Sequence, residues 1–128
     1  MLMLGQLETY SVLPAKDAQR ARRFYADKLG LEPVEENEGG LMYRTAAGTA
    51  FFLYETENAG TAQNTAMCWM ANDLDAEMAE LRERGVVFED YDFPELKTHD
   101  GVAEMGTERS AWFVDSEGNI CCITQRMG

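Results

Sequence analysis

Histidine is almost absent, with only His99 in 128 residues. A Ser-His-Asp or Cys-His constellation therefore has one candidate, far in sequence from the cysteines, and neither is supported. Cysteine is scarce too. Cys68, Cys121 and Cys122 are odd in number and lack metal-ligand spacing, which predicts reduced thiols in a cytoplasm. A Cys121–Cys122 disulfide is not expected, since neighbours on a strand point to opposite faces. Basic residues are outnumbered, 11 Lys and Arg against 23 Asp and Glu, for a net charge of −12. Such a surface disfavours nucleic acid and membrane partners and mildly favours a cationic ligand. Long apolar runs are missing. Met1-Leu2-Met3-Leu4 is too short to be expected as a signal peptide or a membrane span.

What is present is a pattern written twice. Trp112 to Thr124 reads as a β-hairpin closed at Asp115-Ser116-Glu117-Gly118-Asn119, where Asp, Ser and Asn bond their own backbone and Gly tolerates positive φ. Met42 to Tyr54 has the same plan, turning at Ala46-Ala47-Gly48-Thr49. Superposing the two turn glycines pairs Phe52 with Cys122.

The preceding segments repeat as well. Gln6 to Leu13 reads as a strand that Pro14 ends or confines to a sheet edge. Asp17 caps a predicted helix to Leu29 with Ala18, Ala21, Phe24, Tyr25 and Leu29 as its apolar stripe and Gly30 as its stop. Strands are predicted over Leu31–Glu35, Leu41–Arg44 and Ala50–Tyr54, and Glu55 to Asn64 is polar and reads as a linker. Thr65–Ala71 then restarts as a strand, Asp73 caps a helix carrying Leu74, Met78 and Leu81, Gly85 stops it, and Val86-Val87-Phe88 is a short strand. Two βαβββ modules, about 5–56 and 64–126, are expected in a single α+β domain spanning 1–128. Tyr91 to Thr107, which holds His99, is longer than its counterpart and is expected as a loop able to lie over a cleft.

The sequence Leu13-Pro-Ala-Lys-Asp17, then Arg20-Ala-Arg-Arg-Phe-Tyr25 and Leu29-Gly30-Leu31, resembles the first half of a vicinal oxygen chelate protein. That superfamily includes glyoxalase I, bleomycin-resistance proteins and extradiol dioxygenases. Asn72-Asp73-Leu74-Asp75-Ala76 with Arg84-Gly85-Val86 resembles the opening of the second half, and Asp115 to Asn119 its closing turn. The resemblance implies two modules curled as a mixed sheet around a cleft. It also implies four metal-ligand positions, which fall here on Tyr10, Phe52, Ala66 and Cys122. The usual imidazole and carboxylate are missing from all four, and one histidine excludes a two-His site. No metal and no cofactor is expected. An improvised site of His99 with Glu55 or Glu104 is the alternative for a metal.

Strand alternation in the family register puts Tyr10, Val12, Phe52, Tyr54, Ala66, Cys68, Met70, Ile120, Cys122 and Thr124 on the cleft side. Leu13, Phe51, Leu53, Trp69 and Ile123 fall on the core side. Trp112 is added as a stacking platform whose face the hairpin register decides. Arg44 and Arg109 are candidates for a ligand carboxylate. The expected lining is therefore Tyr10, Val12, Phe52, Tyr54, Cys68, Met70, Trp112 and Cys122, which suits a flat organic molecule. The expected function is metal-independent binding of a small aromatic or apolar molecule by a cytoplasmic homodimer, in the manner of drug-sequestering resistance proteins. The alternatives are a glyoxalase-like or dioxygenase-like enzyme with an altered metal set, and a structural dimer whose cleft is filled.

Overall fold

In the computed structural model, residues 3–128 are described; Met1 and Leu2 of the apolar opening lie outside the described residues. The first module runs β1 (Ser11–Ala15), α1 (Ala18–Leu29), β2 (Glu35–Asn37), β3 (Gly40–Arg44), β4 (Ala50–Glu55). The second runs β5 (Thr65–Met70), α2 (Leu74–Glu83), a hairpin of β6 (Asp92–Phe93) and β7 (Leu96–Lys97), then β8 (Ala103–Met105), β9 (Glu108–Val114) and β10 (Ile120–Arg126). Two mixed four-stranded sheets result, in the orders β1-β4-β3-β2 and β5-β10-β9-β8. In each, the first strand pairs in parallel with the last and the others are antiparallel. Apart from the β6–β7 insertion, the two orders are the same.

Local chemistry sets the helices. The Asp17 carboxylate accepts from the Arg20 N–H at 3.0 Å, and the Asp73 carboxylate accepts from Ala76 N–H at 3.1 Å. Gly30 sits at φ 71°, with its N–H on the Ala26 carbonyl and the Leu31 N–H on that of Tyr25, a left-handed ending of the helix. Ala18, Ala21 and Tyr25 then face the first sheet, where Leu13, Leu41, Tyr43, Phe51 and Leu53 are buried beneath α1. Leu74 and Met78 of α2 pack on Ala111, Phe113, Cys121 and Ile123. Phe24, Leu29, Met67 and Trp69 touch both clusters and join them.

Strand limits depart from the sequence pattern in three places. The first strand begins at Ser11 and runs through Pro14. It is the edge of its sheet, so a residue without an N–H leaves no ladder bond unmade there. The second begins at Glu35, because Leu31 is drawn into the first core cluster and β2 pairs with β3 only from Glu35 onward. Val86 to Phe88 forms no strand; Phe88 makes one bridge to Phe113, and Val86 and Phe88 are buried as core.

Candidate functional site

Pairing fixes which side chains share a face. Along one row of the first sheet Val12 stands opposite Phe52, and Phe52 opposite Met42. The matching row of the second sheet is Cys68, Cys122, Trp112. Both rows lie on the faces away from the helices. On the first sheet that face is open, with Val12 52% and Tyr54 39% exposed. On the second, Cys122 is 5% and Trp112 8% exposed.

The cover is the segment read from sequence as a loop. Tyr91 and Leu96 pack on Ala103, Trp112 and Cys122, and the Tyr91 ring meets Trp112 edge-on at 5.7 Å between centroids. Phe93 stacks on Tyr91 at 5.9 Å and remains exposed. The hairpin is anchored from outside the face. Asp90 accepts from the Thr98 hydroxyl at 2.7 Å and from the Gly101 N–H at 2.9 Å, which holds its carboxyl below the usual range.

The candidate lining residues fall into several places. Tyr10 is exposed and precedes β1. Tyr54, Ala66 and Ile120 line a cavity of about 170 Å³ between the ends of the two sheets, with Pro14 and the 56–64 segment around it. Cys68, Cys122 and Thr124 converge: both sulfurs lie on the Thr124 Oγ1, at 3.3 and 3.4 Å, and the Ser110 hydroxyl is 2.9 Å from the same oxygen. Burial pushes the Cys122 thiol up to about 11, against the lowering contact with Thr124. Trp112 donates from Nε1 to the Thr65 hydroxyl at 3.2 Å. Met70 is exposed beside an apolar cavity of about 290 Å³ at the seam of the modules, lined also by Leu29, Trp69 and Phe113.

The charged candidates point elsewhere. Arg109 is engaged by Asp75 at 3.0 Å and Glu104 at 3.5 Å. Arg44 donates to the Gly48 carbonyl within its own turn. His99 exchanges backbone bonds with Val102 and lines, with Arg82, Lys97 and Glu104, a groove of about 680 Å³ beside α2. Among the described residues, no three His, Cys, Asp or Glu side chains come together as a metal group, and no helix is long and apolar enough to cross a membrane.

The closing turn of the second hairpin has a role that sequence spacing does not reveal. Asp115 Oδ2 accepts from the Tyr25 hydroxyl at 2.7 Å and from Asn119 Nδ2 at 2.9 Å, while Oδ1 accepts from the Glu117 and Asn119 N–H groups. Glu117, its side chain fully buried, accepts from the Lys16 and Asp17 N–H groups and from Arg20 Nε and Nη2 at 2.8 and 2.9 Å. Burial alone would raise its pKa; hydrogen bonds from Arg20, Ser116 and Asp17 outweigh that and hold it down to about 2. An anion is thereby seated at the amino end of α1, where the helix favours it. The turn thus clasps the second module to the first.

The model of the Glyoxalase/Bleomycin resistance protein/Dioxygenase superfamily matches residues 6–119. No protein among the curated sequences matches. Among solved structures, TnmS3, an antibiotic binding protein from Streptomyces sp. CB03234, is similar at TM-score 0.71 and 22% identity, over 98% of this chain and 99% of that one. A glyoxalase / bleomycin resistance protein from Catenulispora Acidiphila DSM 44928 is similar at TM-score 0.66 and 23% identity, over 94% and 98%. A glyoxalase/bleomycin resistance protein from Streptomyces sp. CB03234 gives 0.66 and 22%, over 93% and 100%. At these identities the likeness to each is one of fold.

Proposed function

The chain belongs to the glyoxalase/bleomycin resistance protein/dioxygenase superfamily, and from that premise we propose that it binds a small aromatic or apolar organic molecule without a divalent metal. The carrying observation is the open face of the first sheet, where Val12, Phe52 and Tyr54 stand side by side on the family's cleft side. Val12 and Tyr54 are exposed there with Phe52 half-buried between them, and a contiguous apolar patch of this kind marks a binding surface more readily than scattered residues do. The proposed lining also takes in Tyr10, Cys68 and Met70, which are exposed, and Trp112 and Cys122, which Tyr91 and Leu96 cover. Metal independence is supported by the residue types at Tyr10, Phe52, Ala66 and Cys122, a set short of imidazole and carboxylate. Likeness to an antibiotic binding protein agrees with sequestration as the mode.

We read residues 1–128 as one cytoplasmic domain that works as a homodimer, a second copy covering the open faces. Met3, Leu4, Leu7 and Tyr10 are all exposed in the stretch before β1, which supports such a contact. Sedimentation equilibrium at micromolar concentration should give the dimer mass. A clean monomer would refute the assembly.

The ligand test is a screen of planar aromatic cations and matched anions against the parent chain and Phe52→Ala. Cations should bind tighter at low salt, because the net charge of −12 steers them, and that advantage should fade as salt rises. Phe52→Ala should weaken binding at every salt concentration, since it removes stacking area and no charge. Binding unaffected by Phe52→Ala would reject the cleft. Elemental analysis should find well below one equivalent of Zn, Ni, Mn or Fe per chain; a stoichiometric amount lost on mutating Tyr10 or Cys122 would reject metal independence. The rival reading, a filled cleft without ligand, gains from Tyr91 and Leu96 on Trp112. A screen without any binder favours that reading.

A further inference from the structure

Cys68 and Cys122 are Cα partners in register on the parallel strands β5 and β10, so their side chains leave the same face side by side. Both sulfurs rest on one oxygen, Thr124 Oγ1, and that oxygen is fixed in turn by the buried Ser110. The pair is asymmetric in access. Cys68 is exposed and Cys122 buried, which gives an incoming ion a route and a partly dehydrated seat. Around them on this face stand Met70 opposite Thr124, and Trp112 opposite Cys122. Thiols, a thioether and hydroxyls make a soft donor set, with no imidazole or carboxylate in the group to hold a hard divalent ion.

We infer that Cys68 and Cys122 form a two-thiolate site for a soft monovalent cation, Cu(I), on the cleft face of the second sheet. Strand spacing favours an ion over a disulfide. Neighbouring strands lie about 4.8 Å apart, and side-by-side partners carry their Cβ atoms at about that separation. A disulfide prefers its Cβ atoms about 3.8 Å apart, so a direct S–S bond asks the two Cβ atoms to close by about 1 Å. An ion between the sulfurs spans the gap with the backbone at rest. The step is an exchange without electron transfer: Cu(I) enters, two S–Cu bonds form, and two thiol protons leave to solvent.

This inference goes beyond the organic-ligand reading, and its readout is the metal itself, so either can fail alone. The test is anaerobic titration of the full reduced chain with Cu(I) against a colorimetric Cu(I) chelator. One equivalent should bind. Cys68→Ser and Cys122→Ser should each weaken binding by about 100-fold or more, because chelation is lost with the first thiol, and the double variant should lose the site altogether. Cys121→Ser, whose thiol is buried in the second core cluster on the opposite side of β10, should bind as the parent does. Should Cys122→Ser fail to fold by circular dichroism, the exposed Cys68→Ser alone decides. Parent-like affinity in Cys68→Ser, or two independent equivalents, overturns the site. So does mild air oxidation that readily yields a Cys68–Cys122 disulfide, since that would show the sulfurs close enough to bond directly.

Discussion

The rows Val12–Phe52–Met42 and Cys68–Cys122–Trp112 occupy the same positions in two copies of one module, yet no member of the first is buried, whereas in the second Cys122 and Trp112 are buried and only Cys68 stays exposed. The sheets have the same strand order, so pairing does not explain the difference. The insertion does. A short hairpin between α2 and β8 brings Tyr91 and Leu96 down onto the second row, and the first module has no such piece. A repeat can thus keep its backbone plan while one copy turns part of its cleft face into core. The two hairpin turns differ in the same way: Ala46 to Thr49 bonds mainly within itself, while Asp115 to Asn119 reaches across to α1 and β1.

The sharpest way to break this asymmetry is at the second turn. Asp115→Ala strands the buried Tyr25 hydroxyl and two N–H groups and takes one of two acceptors from the Asn119 amide, and should cost about 4 kcal/mol, read as a lowered denaturant midpoint. Trp112→Ala and Phe52→Ala compare the covered and open faces. The first empties a packed site and should cost about 3 kcal/mol, the second about 1 kcal/mol. Equal costs would mean that the hairpin does not cover the second face in solution.

Acid should loosen the clasp. Glu117 has its pKa lowered in the folded chain from 4.5 to about 2. Its contribution is therefore present above about pH 4.5 and lost as pH falls towards 2. Parent and Glu117→Gln should converge in stability over that window; curves that stay parallel would refute the clasp. The smallest effect tests the turns themselves. Gly48 and Gly118 both sit at positive φ, 94° and 88°. A Cβ at Gly118 would lie 2.7 Å from the Gly60 Cα, whereas one at Gly48 meets nothing within 4 Å. Gly48→Ala should cost about 1 kcal/mol of backbone strain, and Gly118→Ala measurably more.

Whatever depends on neighbours in the chain was legible in the residues alone. Asp17 and Asp73 cap helices through the N–H groups three residues on, Gly30 ends one by its own φ, and the two hairpins close over their own turns. Alternation likewise sorted Leu13, Phe51, Leu53 and Ile123 to the buried side, because period two is a property of any strand. The repeated order of such signals was enough to identify the superfamily. Only the tertiary structure decided the rest. Glu117 meets Lys16 and Arg20 across about a hundred positions, and no spacing rule reaches that far. Cys122 lies on the predicted face and Trp112 stands beside it, yet both are buried, because cover comes from Tyr91 and Leu96, whose docking depends on long-range packing. Alternation gives a side chain its direction. What stands in front of it is settled by the segments that fold over it.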